Sequence, residues 1–201
     1  MPKTLIPLKR LAALALLATA LPAQAATLHP VAGATSAPYA YPGSWNAIAN
    51  VIDGIANYDS ELILGTEGMS GFAGPYSVEF DLGGLYDLDG MTLWNNAGYL
   101  GNDGEGVNVF QLRFMDLARN LISSHSANAH DGLAPQSFAF TAGGVRFVDF
   151  AITSNHNPAR GYAAIYEIQF SGTPAVPEPE TYALMLAGLG LVGRRLRHRD
   201  S

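Results

Sequence analysis

Apolar and polar residues alternate through most of the middle of this chain. Tyr76, Val78, Phe80 and Leu82 are interleaved with Ser77, Glu79 and Asp81, the period of two that puts one face of a strand in a core and the other in water. Val107 to Asp116 places Phe110, Leu112 and Phe114 on one face, with Gln111 and Arg113 on the other. Val148, Phe150 and Ile152 repeat the pattern within Val145–Thr153, as do Ala164, Tyr166, Ile168 and Phe170 within Ala163–Gly172. Shorter apolar runs predict strands at Met91–Trp94, Leu121–Ser124 and Gln136–Phe140, and Trp45–Ile52 reads as one short helix. Glycine-rich junctions at Gly83-Gly84, Gly101-Asn102-Asp103-Gly104 and Gly143-Gly144 predict turns between the strands. Seven or eight short strands punctuated in this way predict an all-β fold, an antiparallel β-sandwich of the jelly-roll type.

The two ends obey different rules. Lys3, Lys9 and Arg10 precede an apolar run from Leu11 to Leu21, and Ala23-Gln24-Ala25 supplies a small-x-small cleavage site. Residues 1–25 therefore read as a signal peptide, with the exported chain starting at Ala26. At the other end Pro177-Glu178-Pro179 is followed by an uncharged stretch, Tyr182 to Gly193, and then by Arg194, Arg195, Arg197 and Arg199. The prolines prevent a helix from running through them, and the arginines favour the cytoplasmic side of a membrane. Twelve residues make roughly 18 Å of helix, short of the ~30 Å hydrocarbon core, so such a segment needs snorkelling arginines and a thinned bilayer. This three-part tail, residues 174–201, resembles the PEP-CTERM sorting signal. The resemblance implies an inner-membrane intermediate cut by an exosortase, followed by delivery to the envelope, surface or extracellular matrix. Thr173 to Glu180 forms a proline-rich spacer.

Setting the ends aside changes the electrostatics. The whole chain has a formal charge of −6. Residues 26–174 contain four arginines, no lysine and fourteen carboxylates, a net charge of −10. A body this acidic is repelled by nucleic acid and anionic lipid, and it suits calcium, a neutral sugar or a basic partner. With no cysteine anywhere, thiol chemistry is excluded, and the domain must fold without the disulfides that export permits. A region of this length buries enough surface to do so.

Four segments then carry a second resemblance: Asn50-Val51-Ile52-Asp53-Gly54, Val78 to Gly83, Val145 to Ile152 and Ala163 to Phe170. Their order and spacing resemble the discoidin or coagulation-factor type C domain, a galactose-binding-like jelly roll, over about Ala34 to Gly172. The predicted domain spans residues 26–173. The resemblance implies a structural Ca²⁺ held by Asp53 and Glu167, with carbonyls from Asn50, Ile55 and Tyr166, a mixed oxygen set that suits the ion. It departs from the family pattern at Tyr58, where a threonine hydroxyl is usual; Ser60 is the nearest hydroxyl. The alternative role of Asp53 is to cap its own Asp-Gly turn.

In such domains sugars bind on loops at one end of the sandwich. Two segments here offer aromatic faces and hydrogen-bonding groups: Trp94, Asn96 and Tyr99 in one, and His156, Asn157 and Arg160 in the other. Trp94 could instead belong to the core, and Arg160 could pair with a carboxylate. Enzyme motifs do not survive inspection. Gly188, Gly190 and Gly193 match a dinucleotide fingerprint but lie in the tail with no strand before them. Gly68-Met69-Ser70-Gly71-Phe72 lacks the final glycine of a nucleophile elbow. The acidic pairs Asp87/Asp89 and Asp103/Glu105 read as solvated turn residues. The sequence thus predicts an exported, non-catalytic protein that binds polysaccharide, or else a structural matrix protein with no sugar site.

Overall fold

The structure, a computed structural model, describes residues 25–35, 37, 46–56, 61–96, 104–175 and 186–189. Eight strands follow in order: β1 (Ala26–Leu28), β2 (Ala32–Thr35), β3 (Leu62–Ser70), β4 (Tyr76–Asn95), β5 (Val107–Met115), β6 (Leu121–Asn128), β7 (Gln136–Asn155) and β8 (Arg160–Pro174). A 3-10 turn, Ile48–Val51, precedes β3. It stands where the short helix was predicted; Trp45 lies outside the described residues.

Two 20-residue strands, β4 and β7, organise everything else. They pair antiparallel along both halves, Tyr76–Asp81 with Phe147–Ile152 and Tyr86–Leu93 with Gln136–Val145. Between the halves the register shifts and both strands change sheet. The first half of β4 and the second half of β7 join β2, β5 and β6 in a five-stranded sheet. The other halves join β8, whose far edge carries β3 and β1. All these pairings are antiparallel, as predicted.

The glycine pairs read as turns prove to be corners. Gly83 (φ 81°) and Gly144 (φ 67°) take left-handed backbone, which lets a strand bend sharply without losing its ladder. Asp87 accepts a hydrogen bond from Gly144 N (2.8 Å) across the corner, and Asp89 accepts one from Ser171 Oγ. The first of these carboxylates fastens the bend, and the second ties β4 to β8 beyond it.

The alternation in β4, β5 and the second half of β7 holds as predicted. Phe80, Phe110, Phe114, Phe150 and Phe170 are fully buried, and Phe80 meets Phe170 edge-on at 6.2 Å. The single face predicted for Ala164, Tyr166, Ile168 and Phe170 does not hold. Trp94 pairs with Glu167 and Asn95 with Ile165, so Tyr166 is the extra residue of a β-bulge that swaps the faces. Ala163 and Ile165 join the main core, whereas Ala164 packs with Ile63 and Tyr162 on the opposite face.

The main core is drawn from residues between Val51 and Phe170, all within the predicted domain of residues 26–173. Outside the five-stranded sheet, Arg113 pairs with Asp149, Arg119 with Glu79 and Arg146 with Asp81, each at 2.8 Å. Both ends of the domain meet at one pole: Ala26 pairs with Gly172, and Ala175 N donates to Leu85 O at 2.8 Å.

Candidate functional site

The opposite pole is built from short connections that bond to one another. His156 N donates to Gly106 O (3.2 Å), Asn157 N to Gly104 O (2.9 Å) and Gly71 N to Ala159 O (3.3 Å). The tight loop from β7 to β8 is closed by Arg160 N donating to Asn157 O (2.9 Å) and by Ala159 N donating to Asn157 Oδ1 (3.1 Å). Beneath it Asn155, almost fully buried, donates to the carbonyls of Arg160 (3.0 Å) and Tyr162 (2.7 Å). This frame fixes where His156, Asn157 and Arg160 stand.

Arg160 differs from the other three arginines. Its guanidinium is 3.7 Å from Glu105, a looser pairing than the 2.8 Å of the others, although its side chain, 42 % exposed, is less open than those of Arg113 and Arg119. It also lies 5.9 Å from the Tyr162 ring centre. Tyr162 donates its hydroxyl to Glu105, and Asn96 donates its amide to Glu61. Glu61 is pushed up to about 7, first by burial and then by the charge of Glu105, with the Asn96 hydrogen bond opposing. The pole therefore gathers Glu61, Asn96, Glu105, His156, Asn157, Arg160 and Tyr162. His156 Nε2 is buried and has no hydrogen-bond partner.

Not all of the predicted sugar residues meet there. Asn96 is buried, so it positions Glu61 rather than facing solvent. Trp94 is half-buried and stands opposite Glu167 on β8, seven positions along from Arg160, or roughly 23 Å of strand. Tyr99 lies outside the described residues, as do Tyr58 and Ser60. Glu61 and Glu105 were missed by sequence reasoning. Only the fold brings Glu105 beside Arg160 and Glu61 within reach of the Glu105 charge, although an acidic residue flanked by glycines, Gly104-Glu105-Gly106, was a visible hint.

The second predicted site lies beside Trp94. Glu167 is fully buried: Oε1 accepts a hydrogen bond from Gly54 N (3.2 Å), and Oε2 has no partner. Its carboxyl is pushed up to about 7, mainly by burial and further by the charge of Asp53, while the Gly54 bond and the Gln169 side chain pull the other way. Asp53 also caps its own turn, accepting from Ile55 N at 2.8 Å. Asn50 lies in the 3-10 turn packed on β8, Ile55 follows Gly54, and Tyr166 is the bulge residue before Glu167. His29, unforeseen from the sequence, sits 3.8 Å from Glu167. Among the described residues no three His, Cys, Asp or Glu side chains group closely enough to hold a metal. A cation here would rest on two carboxylates and complete its shell with carbonyls. The orphaned, buried oxygen of Glu167 fits that demand, since a hard cation would satisfy it.

Comparison with known proteins now addresses both parts of the chain. Residues 175–199 match the family described as PEP-CTERM protein-sorting motif. The tail is a PEP-CTERM sorting motif. Pro177, Glu178 and Pro179 fall within it but outside the described residues. Of its apolar stretch, residues 186–189 are helical and exposed, and no described helix is long and apolar enough to cross a membrane. Residues 1–24 of the predicted signal peptide also lie outside the described residues.

The domain is similar to a CBM32 module of Clostridium perfringens solved in complex with GalNAc-β-1,3-galactose (19% identity, TM-score 0.53, 72% of this chain and 99% of that one). It is similar to an F5/8 type C domain from Bacteroides fragilis (16%, 0.53, 71% and 91%). It also resembles a truncated AlyQ with CBM32 and alginate lyase domains (18%, 0.52), where the match covers 78% of this chain but only 36% of that one. No curated protein matches the sequence. At these identities the likeness establishes the fold, a galactose-binding-like sandwich of the discoidin and CBM32 type.

Proposed function

We propose that this PEP-CTERM protein is an exported, non-catalytic carbohydrate-binding protein whose sugar site is the pole around Arg160. The observation that carries the reading is the state of Arg160. It is the one arginine of the domain that is held loosely, beside Tyr162, Glu105, Asn157 and His156. A guanidinium, an amide and two carboxylates present the donors and acceptors that read sugar hydroxyls, and the modules of like fold solved with galactose-containing ligands favour this ligand class. Trp94 stands apart and belongs with the Asp53–Glu167 site. Net acidity directs the preference toward neutral or basic glycans, and exopolysaccharide is the natural source for a chain sorted in this way.

A single shallow site gives micromolar to millimolar affinity, roughly −8 to −4 kcal/mol, so retention relies on multivalent display. In this reading the signal peptide is removed at Ala26, an exosortase cuts at the Pro-Glu-Pro motif after an inner-membrane stage, and a structural Ca²⁺ joins Asp53 to Glu167. A glycan array of residues 26–175, with and without calcium, tests the function. Binding that Arg160→Ala abolishes, with an unchanged melting temperature, is the expected outcome. No binding across a broad array would leave a structural matrix protein as the function, and an Arg160→Ala domain that unfolds would make this arginine structural.

A further inference from the structure

One flank of the sandwich combines three features found together nowhere else among the described residues. β6 is the last strand of the five-stranded sheet and pairs only with β5; the first half of β7 pairs only with β4. These two open edges lie side by side, joined by Phe140, whose ring is 5.4 Å from His125 and 4.8 Å from Phe114. The stretch is also almost uncharged. Residues 120–145 hold a single formal charge, Asp131, in a domain with fourteen carboxylates and four arginines. Leu117, Leu121 and Ile122, at or beside the start of β6, are exposed apolar residues.

An open edge offers a row of unpaired backbone groups to another strand, and proteins usually blunt it with lysine, proline, inward charge or a very short strand. On the opposite flank β1 has three residues and β2 four, and β3, nine residues long, carries a charge, Glu67, in its sequence. Neither β6, eight residues long, nor Gln136–Ala142 carries any such device.

We infer that this flank is a homotypic contact at which a second copy of the chain adds edge to edge. The charge distribution selects that occupant. A basic partner would be drawn to the carboxylates elsewhere, whereas a second copy with the same charge of −10 can approach closely only where charge is absent. Antiparallel edge pairing is self-complementary about a two-fold axis, so one patch serves both partners. The flank is roughly 26 Å long and little more than the ~10 Å sheet spacing deep, less than half of the ~800 Å² per partner that a stable complex buries. The association is therefore weak and concentration-dependent.

Sedimentation equilibrium of residues 26–175, from about 10 μM to about 1 mM, should show the mass climbing from monomer toward dimer. Ser124→Lys with Ala139→Lys, both at exposed positions, should weaken association at least tenfold although the added lysines reduce the net negative charge. Thr27→Lys with Ala34→Lys, the same charge change on the opposite flank, should leave it unaltered. Amide hydrogen exchange of the unmodified domain, which needs no variant, should slow with concentration in residues 121–128 and 136–142 alone. A domain that stays monomeric at 1 mM, lysine pairs that act alike, or exchange indifferent to concentration would each overturn the inference.

Discussion

Replacing Glu167 by glutamine should stabilise the calcium-free domain at pH 8 and leave it almost unchanged at pH 5. The carboxyl is fully buried, with one oxygen unpartnered, and is pushed from its ordinary 4.5 up to about 7. Below about pH 4.5 the group is protonated in folded and unfolded chains alike, and its burial costs little. Between there and about 7 the unfolded chain has released the proton and the folded chain has not, so stability falls as pH rises. Above about 7 both are ionised and the loss is complete. A shift of this size corresponds to at most about 3 kcal/mol, and relaxation and water access reduce it to about 2 kcal/mol. For a domain of this size that is roughly 4–8 °C in melting temperature. Glutamine keeps an acceptor for Gly54 N while removing the charge. Thermal unfolding followed by circular dichroism at both pH values, in chelator, measures the difference. Calcium at a hundredfold excess over its dissociation constant should add ~2.7 kcal/mol to the wild type and nothing to the variant. Equal melting of the two chains at pH 8 in chelator, or a less stable variant, would refute the account of Glu167. Identical wild-type midpoints with and without calcium would refute the metal alone.

Two further outcomes are expected. Asn95→Ala should cost about 3 kcal/mol in denaturant unfolding, because this fully buried amide donates to Val107 O (2.8 Å) and His130 O (3.0 Å) and accepts from Val107 N (2.8 Å), leaving backbone groups unpaired; a loss under ~1 kcal/mol would mean that water replaces the side chain. Native protein from an exosortase-bearing host should begin at Ala26 and lack the segment after the Pro-Glu-Pro motif by intact mass, and an uncut C-terminus there would remove the sorting step.

The fold class was legible because alternation is a local signal. Phe110, Leu112 and Phe114 announce a buried face whatever they pair with. The corners were not legible, because glycine serves a turn and a bend equally well. Only the distant pairing of Tyr86 with Val145 shows that the ladder continues past Gly83 and Gly144. The bulge at Tyr166 was hidden for the same reason, since the extra residue is defined by its partners on β4. At the candidate site His156, Asn157 and Arg160 were readable as neighbours in one polar loop. Glu61 and Glu105 come from segments far apart in sequence, and apart from the glycines that flank Glu105 nothing local distinguishes them from the other carboxylates. Trp94 was grouped by its place at a strand end, whereas its register, which the sequence does not show, sets it against Glu167.

β8 begins at Arg160, in the proposed ligand pole, and ends at Pro174, where the chain leaves toward its sorting tail. When ligand is held at one end and the tail at the other, tension runs lengthwise along this one strand. It is paired with β4 on one side and with β3 and β1 on the other, so its hydrogen bonds are loaded together in shear and cannot be unzipped singly. The sandwich is thus arranged as a mechanical link, one strand joining the surface it grips to the point from which it is pulled.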